Sequence, residues 1–544
     1  MTSGSKKSAR TLGAIAGTAV FALTLAGCAA GDDSGSTGGS NGNTPLIIGT
    51  TDKVTFIDPA GSYDNGSFVV MNQVYPFLMN SIPGTSDVVP DIAESAEFTS
   101  PTEYTVTLKP GLTFANGNEL TASDVKFSFD RQKTIAADNG PSTLLGNLDS
   151  VDVVDDTTVV FNLLAGNDQT FAQILSSPAA PIVDEDVFSA TEVTSDDDIV
   201  AGNAFAGQYV ITDYDFNNLI AFEANPDYDG VLGAPETDVV QMKYYTEASN
   251  LKLDVQEGGV DVAYKNLSAT DVADLEGNDD VNVVTGPGGE IRYIVFNFNT
   301  QPFGAETPEA DEAKSLAVRQ AVASLVDREE LADQVYKGTY TPLYSFVPEG
   351  LTGATEVFKD LYGTDGAPDE DKAAGILAAA GITEPVVLNL QYNPDHYGES
   401  SGDEYALVKS QLEESGLFTV NLQSTEWVQY SADRTADVYP AYQLGWFPDY
   451  SDADNYLTPF FVTDNFLGNH YDDADVNALI AAQATEVDPD ARVALIEEIQ
   501  AEVAADISTL PLLQGAQVAV TGTNVEGTTL DGSFKFRFGT MSVG

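Results

Sequence analysis

The sequence predicts a mixed α/β fold from its alternating local patterns, and its composition adds that the fold rests on a sizeable core. Short alternating apolar stretches, capped helical stretches and brief turn-rich connections succeed one another irregularly along the 544 residues. Hydrophobic residues make up 43% of the chain, enough for a sizeable core. A lone cysteine rules out internal disulfides, so that core must hold the fold together. Beyond the first residues there is no sequence repeat and no second low-complexity stretch. A folded part of roughly 500 residues ordinarily makes two to four domains or lobes.

The elements follow in order. Lys6, Lys7 and Arg10 form a basic start, and residues 11–26 are apolar or small, too short and too rich in Gly and Ala for a spanning helix. They run into Leu25-Ala26-Gly27-Cys28, which resembles the lipobox of bacterial lipoproteins; the alternative is an ordinary secretory signal with an incidental cysteine. The lipobox reading makes 1–28 a signal segment ending at a lipidated Cys28, whose two acyl chains hold where one binds only marginally. Residues 29–44 are almost all Gly, Ser, Asn, Thr and Asp, and read as a flexible tether reaching roughly 20–25 Å. Folding therefore begins near Pro45.

Residues 46–49 read as the opening strand and 104–108 as another, turned by Lys109-Pro110-Gly111. Thr121 and Asp124 have the spacing of a capping box. Residues 219–223 read as strand. Val318, Val322, Leu325 and Val326 mark one face of a buried helix over 318–336. Residues 386–391 read as strand, 404–414 as helix and 420–428 as strand. Asp488-Pro489 reads as a cap and first turn for a helix carrying Val493, Ile496, Ile499 and Val503.

Acidic residues number 84 against 23 basic ones, a net charge of −61 spread along the chain, so nucleic acid is not an expected partner. The charge reads as a solubilising surface suited to salt, or as an attraction for cationic ligands that screening limits to about 8–10 Å. Three local patterns suggest chemistry. Gly398, Ser400 and Gly402 fit the nucleophile elbow of serine hydrolases, but residues 392–397 separate them from the preceding strand and His470 is the sole later histidine. Asn225, Asp227, Asp229, Gly230 and Glu236 fit a calcium loop, but a strand precedes it and Pro235 sits where a helix should begin. His396 and His470 are the only histidines and no Cys/His cluster exists, so no metal site and no cofactor are expected.

Several segments together resemble one family, the extracytoplasmic solute-binding proteins of peptide-type ABC importers. Phe114, Gly117, Thr121, Ala122, Asp124, Val125 and Phe127 match its F-x-x-G-x-x-x-T-A-x-D-V-x-F block. Asn225-Pro226-Asp227-Tyr228 resembles its N-P-x-Y turn, which also accounts for the calcium-like loop. Val318-Arg319-Gln320-Ala321 with Asp327-Arg328 resembles a family helix, and residues 445–450 with Asp454-Asn455 its cleft block. The matches are ordered and span residues 46–515.

The resemblance implies a two-lobed periplasmic-binding-protein-like fold with a hinge and an extra inserted subdomain. Lobe I would take residues 45–80, 205–292 and 513–544, the insert 81–204, and lobe II 293–512. It implies capture of oligopeptides or dipeptides in the inter-lobe cleft and delivery to permease subunits with their ATPases, from a lipid-anchored position on the outer face of the cell membrane. Other members take oligosaccharides, opines or metal chelates, and those remain alternatives; a secreted serine hydrolase is the outlier. No catalysis is expected.

A main-chain-bound peptide needs its charged amino terminus to fix its register, and an ammonium taken from water needs a carboxylate. By the resemblance Asp449 supplies it, with Gly445, Trp446 and Phe447 as backbone and aromatic wall. The alternative makes Trp446 and Phe447 core and Asp449 a turn residue after Pro448. The loop 54–67 places Tyr63 and Asp64 at the cleft, and Trp427 is a further wall candidate, with core packing the equal alternative.

Overall fold

The computed structural model describes residues 44–544, apart from 138, 266, 395, 399 and 464. Cys28, the signal segment and the tether lie outside the described residues. One mixed sheet of 11 strands organises the rest. Its order is Phe418–Ser424, Val386–Tyr392, Ala441–Trp446, Val281–Phe296, Thr509–Gly522, Val262–Tyr264, Leu46–Thr50, Val239–Tyr244, Leu219–Ala224 and Tyr209–Asp215, with Tyr340–Pro342 beside Thr509–Gly522.

Two long strands, Val281–Phe296 and Thr509–Gly522, pair antiparallel through the middle and join a parallel patch on either side. On one side Leu46–Thr50 runs parallel to both its neighbours. On the other Val386–Tyr392 does the same. Each patch has its own apolar core, one around Ile48, Val70, Phe222 and Phe538, the other around Val318, Leu388, Tyr442 and Leu512. The result is a two-lobed α/β architecture.

The long pair slips in register between Pro287 and Ile291, where the strand passes from one lobe to the other. A β-carbon at Gly288 would fall 1.8 Å from the Gly515 carbonyl oxygen, so only glycine fits at the start of the slip. A third body is an antiparallel sheet in the order Ala93–Ser100, Glu103–Leu108, Thr158–Leu163, Leu148–Asp155. Helix Ala122–Ile135 covers it through Val125 and Phe129, which share a core with Phe161 and Phe171.

Local signals translate directly in several places. Asp124 accepts from Thr121 N at 2.9 Å and Thr121 Oγ1 accepts from Ser123 N at 3.2 Å. Asp488 receives Asp490 N and Ala491 N, each at 3.1 Å, at the head of helix Pro489–Asp506. The expected helix 318–336 is corrected: it runs Glu312–Leu325, stops where Val326 turns extended, and restarts as Arg328–Leu331 before a wider turn Ala332–Tyr336. The break has a cause, since Asp327 caps the restart by accepting from Glu330 N at 2.9 Å. The expected strand 420–428 is also corrected: it ends at Ser424, and Trp427 opens helix Trp427–Thr435.

Candidate ligand-binding site

In open α/β sheets ligands collect beyond the carboxyl ends of the parallel strands. Here two such ends, Thr50 in one lobe and Trp446 in the other, feed loops that meet. Ala441–Trp446 lies antiparallel to Val281–Phe296, with Gly445 opposite Arg292 and Trp446 opposite Ile291. A β-carbon at Gly445 would sit 2.9 Å from the Tyr397 ring and 3.0 Å from the Ile291 carbonyl oxygen, so the strand must be bare there. Below it Arg292 is buried, paired with Glu290, donating to the Tyr397 carbonyl at 2.9 Å and stacked 4.5 Å from the Tyr397 ring.

Pro448 then turns the chain, and Asn455 holds the turn. Asn455 Oδ1 accepts from Trp446 Nε1 at 3.0 Å and from Asp449 N at 2.9 Å. Its Nδ2 donates to Asp449 Oδ2 at 3.0 Å. Pro448 also lies against strand Val281–Phe296, where a β-carbon at Gly289 would meet Pro448 Cγ at 2.3 Å and the Phe534 ring at 2.7 Å. The Asp449 carboxylate is thus aimed by an amide that is itself 2% exposed.

The remaining Asp449 oxygen, Oδ1, accepts from the Tyr63 hydroxyl of the facing lobe. The structure so brings together two predicted residues 386 positions apart. Tyr63 is 41% exposed, as is Phe447. Trp446 is partly buried, edge-on to Phe460 at 5.2 Å and to Phe466 at 5.5 Å, and Phe466 is itself 51% exposed.

Asp64 has a different occupation. It caps helix Asn65–Val74, taking Ser67 N at 2.8 Å, Ser67 Oγ at 3.0 Å and Thr55 Oγ1 at 2.5 Å. Its carboxylate shapes the loop that presents Tyr63. Trp427 stacks on His396 at 3.8 Å and lies edge-on to Tyr397 at 5.6 Å, packed on the lobe core; Tyr397 stands between it and Gly445. Asn455, Gly289 and Phe534 were not among the expected site residues. For Asn455 a signal existed, the Asp454-Asn455 pair within the cleft block.

Burial pushes the Asp449 carboxyl up to about 6, and the Asn455 amide opposes that rise. A cationic ligand held by the ionised carboxylate is therefore expected to lose affinity as pH falls through about 6, by as much as ~tenfold per unit below it. Titration calorimetry across that range checks this; a flat profile contradicts it.

The other motifs find structural roles. Asn225 donates to the Gly207 carbonyl at 2.9 Å and accepts from Asp227 N at 3.1 Å, which makes a turn. Among the described residues no group of three or more His, Cys, Asp or Glu is placed to hold a metal. Ser400 precedes helix Ser401–Glu414, and His470 Nε2 lies 2.7 Å from Asp437. Among the described residues no helix is long and apolar enough to cross a membrane.

Residues 87–468 match the sequence model of the bacterial extracellular solute-binding proteins, family 5 middle region. The chain is 24% identical over 542 residues to the dipeptide-binding protein DppE of Bacillus subtilis, covering 93% of this chain and 94% of that protein. It is 25% identical over 528 residues to heme-binding protein A of Haemophilus influenzae, covering 90% of each. Its fold matches that of HbpA2 from Haemophilus parasuis with a TM-score of 0.78 at 20% identity, over 92% of this chain and 100% of the other.

Proposed function

The chain belongs to family 5 of the bacterial extracellular solute-binding proteins, and on that premise we propose that it captures short peptides between its lobes and delivers them to an ABC importer. The observation that carries the reading is Asp449: a partly buried carboxylate, oriented by Asn455 and met by Tyr63 from the opposite lobe. A peptide amino terminus entering there exchanges its water for Asp449, and the Tyr63 hydroxyl either yields its place or donates beside it. Ligand main chain runs past the turn that carries Asp449, with Trp446, Phe447 and Tyr63 as flanking aromatic surface.

In this proposal the lobes take residues 45–80, 205–292 and 513–544 on one side and 293–512 on the other, with 81–204 inserted. The paired long strands are the hinge, and closure buries the ligand. The protein is a carrier and not a catalyst, as its membership of a solute-binding family supports. Dipeptide-binding relatives support a peptide ligand, and the heme-binding relative keeps a non-peptide solute as the second reading. An ionised anchor favours an amine-bearing ligand over a neutral sugar.

Mass spectrometry of small molecules released on denaturing protein purified from its own cells tests the proposal. Peptides are expected; recovery of sugars or of a tetrapyrrole, with peptides absent, overturns it. Cys28 is proposed as the lipid-bearing residue that keeps the protein at the outer face of the membrane. Cys28→Ser is expected to appear in the medium or as unprocessed precursor, and unchanged membrane fractionation of that variant argues against the anchor.

A further inference from the structure

Lys265 directly follows strand Val262–Tyr264, which runs parallel to Leu46–Thr50 with Val262 beside Ile48. The carboxyl end of that strand therefore opens on the same side as Thr50, from which the loop with Tyr63 departs. The chain bends there, and Lys265 takes the left-handed conformation at φ 62°. Its side chain is half-buried, with the ammonium 5.7 Å from the centre of the Tyr264 ring. Tyr264 is itself fixed, 2% exposed and stacked on Phe536 at 3.7 Å.

This ammonium has no bonded partner: Lys265 forms no hydrogen bond and no ion pair among the described residues. Every other lysine and arginine there has at least one, apart from Lys337, which is exposed. In a chain with 84 acidic residues, a half-buried lysine left unpaired is an exception, because a cation out of water is costly without a countercharge. Burial works against its charge, yet Tyr264, Asp52 and Glu290 outweigh burial and hold its pKa above the ordinary lysine value. Neither carboxylate bonds to it, and Glu290 is spent on Arg292. Glu290 also joins this lysine to the cleft, since its neighbour Gly289 lies against Pro448, the residue before Asp449.

We propose that Lys265 takes a carboxylate of the bound ligand, from the lobe facing Asp449, so that the ligand is dipolar: an amine at one lobe and an acid at the other. The inference rests on the reading that the ligand enters between the lobes at Asp449. A carboxylate leaving water needs a cation, and a protein of net charge −61 makes an unanswered one more costly still. Lys265 offers an ammonium already partly desolvated and committed to no other bond. Its contact with the Tyr264 ring, at 5.7 Å, is a weak one to exchange for a charge-assisted hydrogen bond. A neutral sugar supplies neither charge.

The test is calorimetry with di- to pentapeptides of alanine, free or C-terminally amidated, and with a second series carrying glutamate or glutamine at successive positions. In the native protein, removing the carboxylate at one of these places is expected to cost about ten- to hundredfold in affinity. A loss on amidation assigns the peptide's own terminus to Lys265, and a loss on exchange of glutamate for glutamine assigns a side chain. Lys265→Met is expected to abolish that difference and Lys265→Arg to keep most of it, with the melting midpoint of the empty protein unchanged in both. Equal binding of charged and neutral peptides throughout overturns the inference, as does a carboxylate preference that survives in Lys265→Met. A Lys265→Met variant that melts early and loses every peptide alike also overturns it, since the lysine is then structural. Failure of the amine anchor reads differently: N-acetylated and free peptides then bind alike while the carboxylate preference and its loss in Lys265→Met remain. A native protein that binds none of the peptides overturns both.

Discussion

Asp449→Asn is expected to weaken peptide binding by roughly 2–5 kcal/mol, about 30-fold to several thousand-fold. Asparagine keeps the shape and can still meet Asn455 and Tyr63, but it leaves a desolvated ammonium without countercharge. The empty protein should not suffer. Burial holds the Asp449 carboxyl at about 6, above its value of 3.8 in an unfolded chain. A carboxyl raised on folding binds its proton more tightly in the folded state, so stability falls as pH rises from about 4 to about 6. At neutral pH the ionised group is thus a small burden on the empty fold, which the amide removes. Calorimetry and thermal melting on one sample separate the effects: binding collapses while the melting midpoint holds or rises slightly. A variant that loses binding and melts early would mean that Asp449 is a structural turn residue.

Arg131→Met is expected to destabilise the protein by about 3–5 kcal/mol, with a melting shift on the order of 3–5 °C. Arg131, on helix Ala122–Ile135, grips Asp58 with two bonds of 2.7 Å, and the side chains are 1% and 0% exposed. Asp58 stands in the loop that presents Tyr63, and its second oxygen also accepts from Thr194 N at 2.6 Å. Removing the arginine strands a buried carboxylate and loosens the loop against the inserted subdomain. A double variant that also makes Asp58→Asn should recover part of the loss, because it removes the unpaired charge while its amide oxygen can still accept from a buried main-chain donor such as Thr194 N. A single variant within about 0.5 kcal/mol of the native protein would show that the pair is not what fixes the loop.

Local signals were readable because their causes are local. Thr121 with Asp124 and Asp488 with Pro489 satisfy helix ends from within a few residues, so their spacing alone announces them. The apolar stripe through Val318, Val322 and Leu325 was legible for the same reason, while the break at Val326 was not, since it depends on Asp327 turning its side chain onto Glu330 N. Trp427 shows the limit of propensity: an aromatic after an alternating stretch reads as strand, yet it begins a helix and stacks on His396 from another loop.

The site divides the same way. Asp449, Trp446 and Gly445 stand in one short stretch and are candidates by resemblance. Tyr63 was placed by topology, but its bond to Asp449 joins loops from two lobes, which no periodicity encodes. Asp64, beside it, was an equal candidate until its oxygens proved committed to the helix cap. Asn455 holds the turn and the Asp449 carboxylate through three hydrogen bonds; the Asp454-Asn455 pair of the cleft block marked its position, but nothing in the sequence marked those bonds.

The most direct measurement is the affinity of one peptide, free and N-acetylated, for the native protein and for Asp449→Asn. Acetylation removes the ammonium and the mutation removes its partner, so the two losses should not add. The expected result is strong binding only when the free peptide meets the native protein, with acetylated peptide losing little further on mutation. If free and acetylated peptides bind the native protein equally well, the ligand is not held by its amine at Asp449 and the account of the site is wrong.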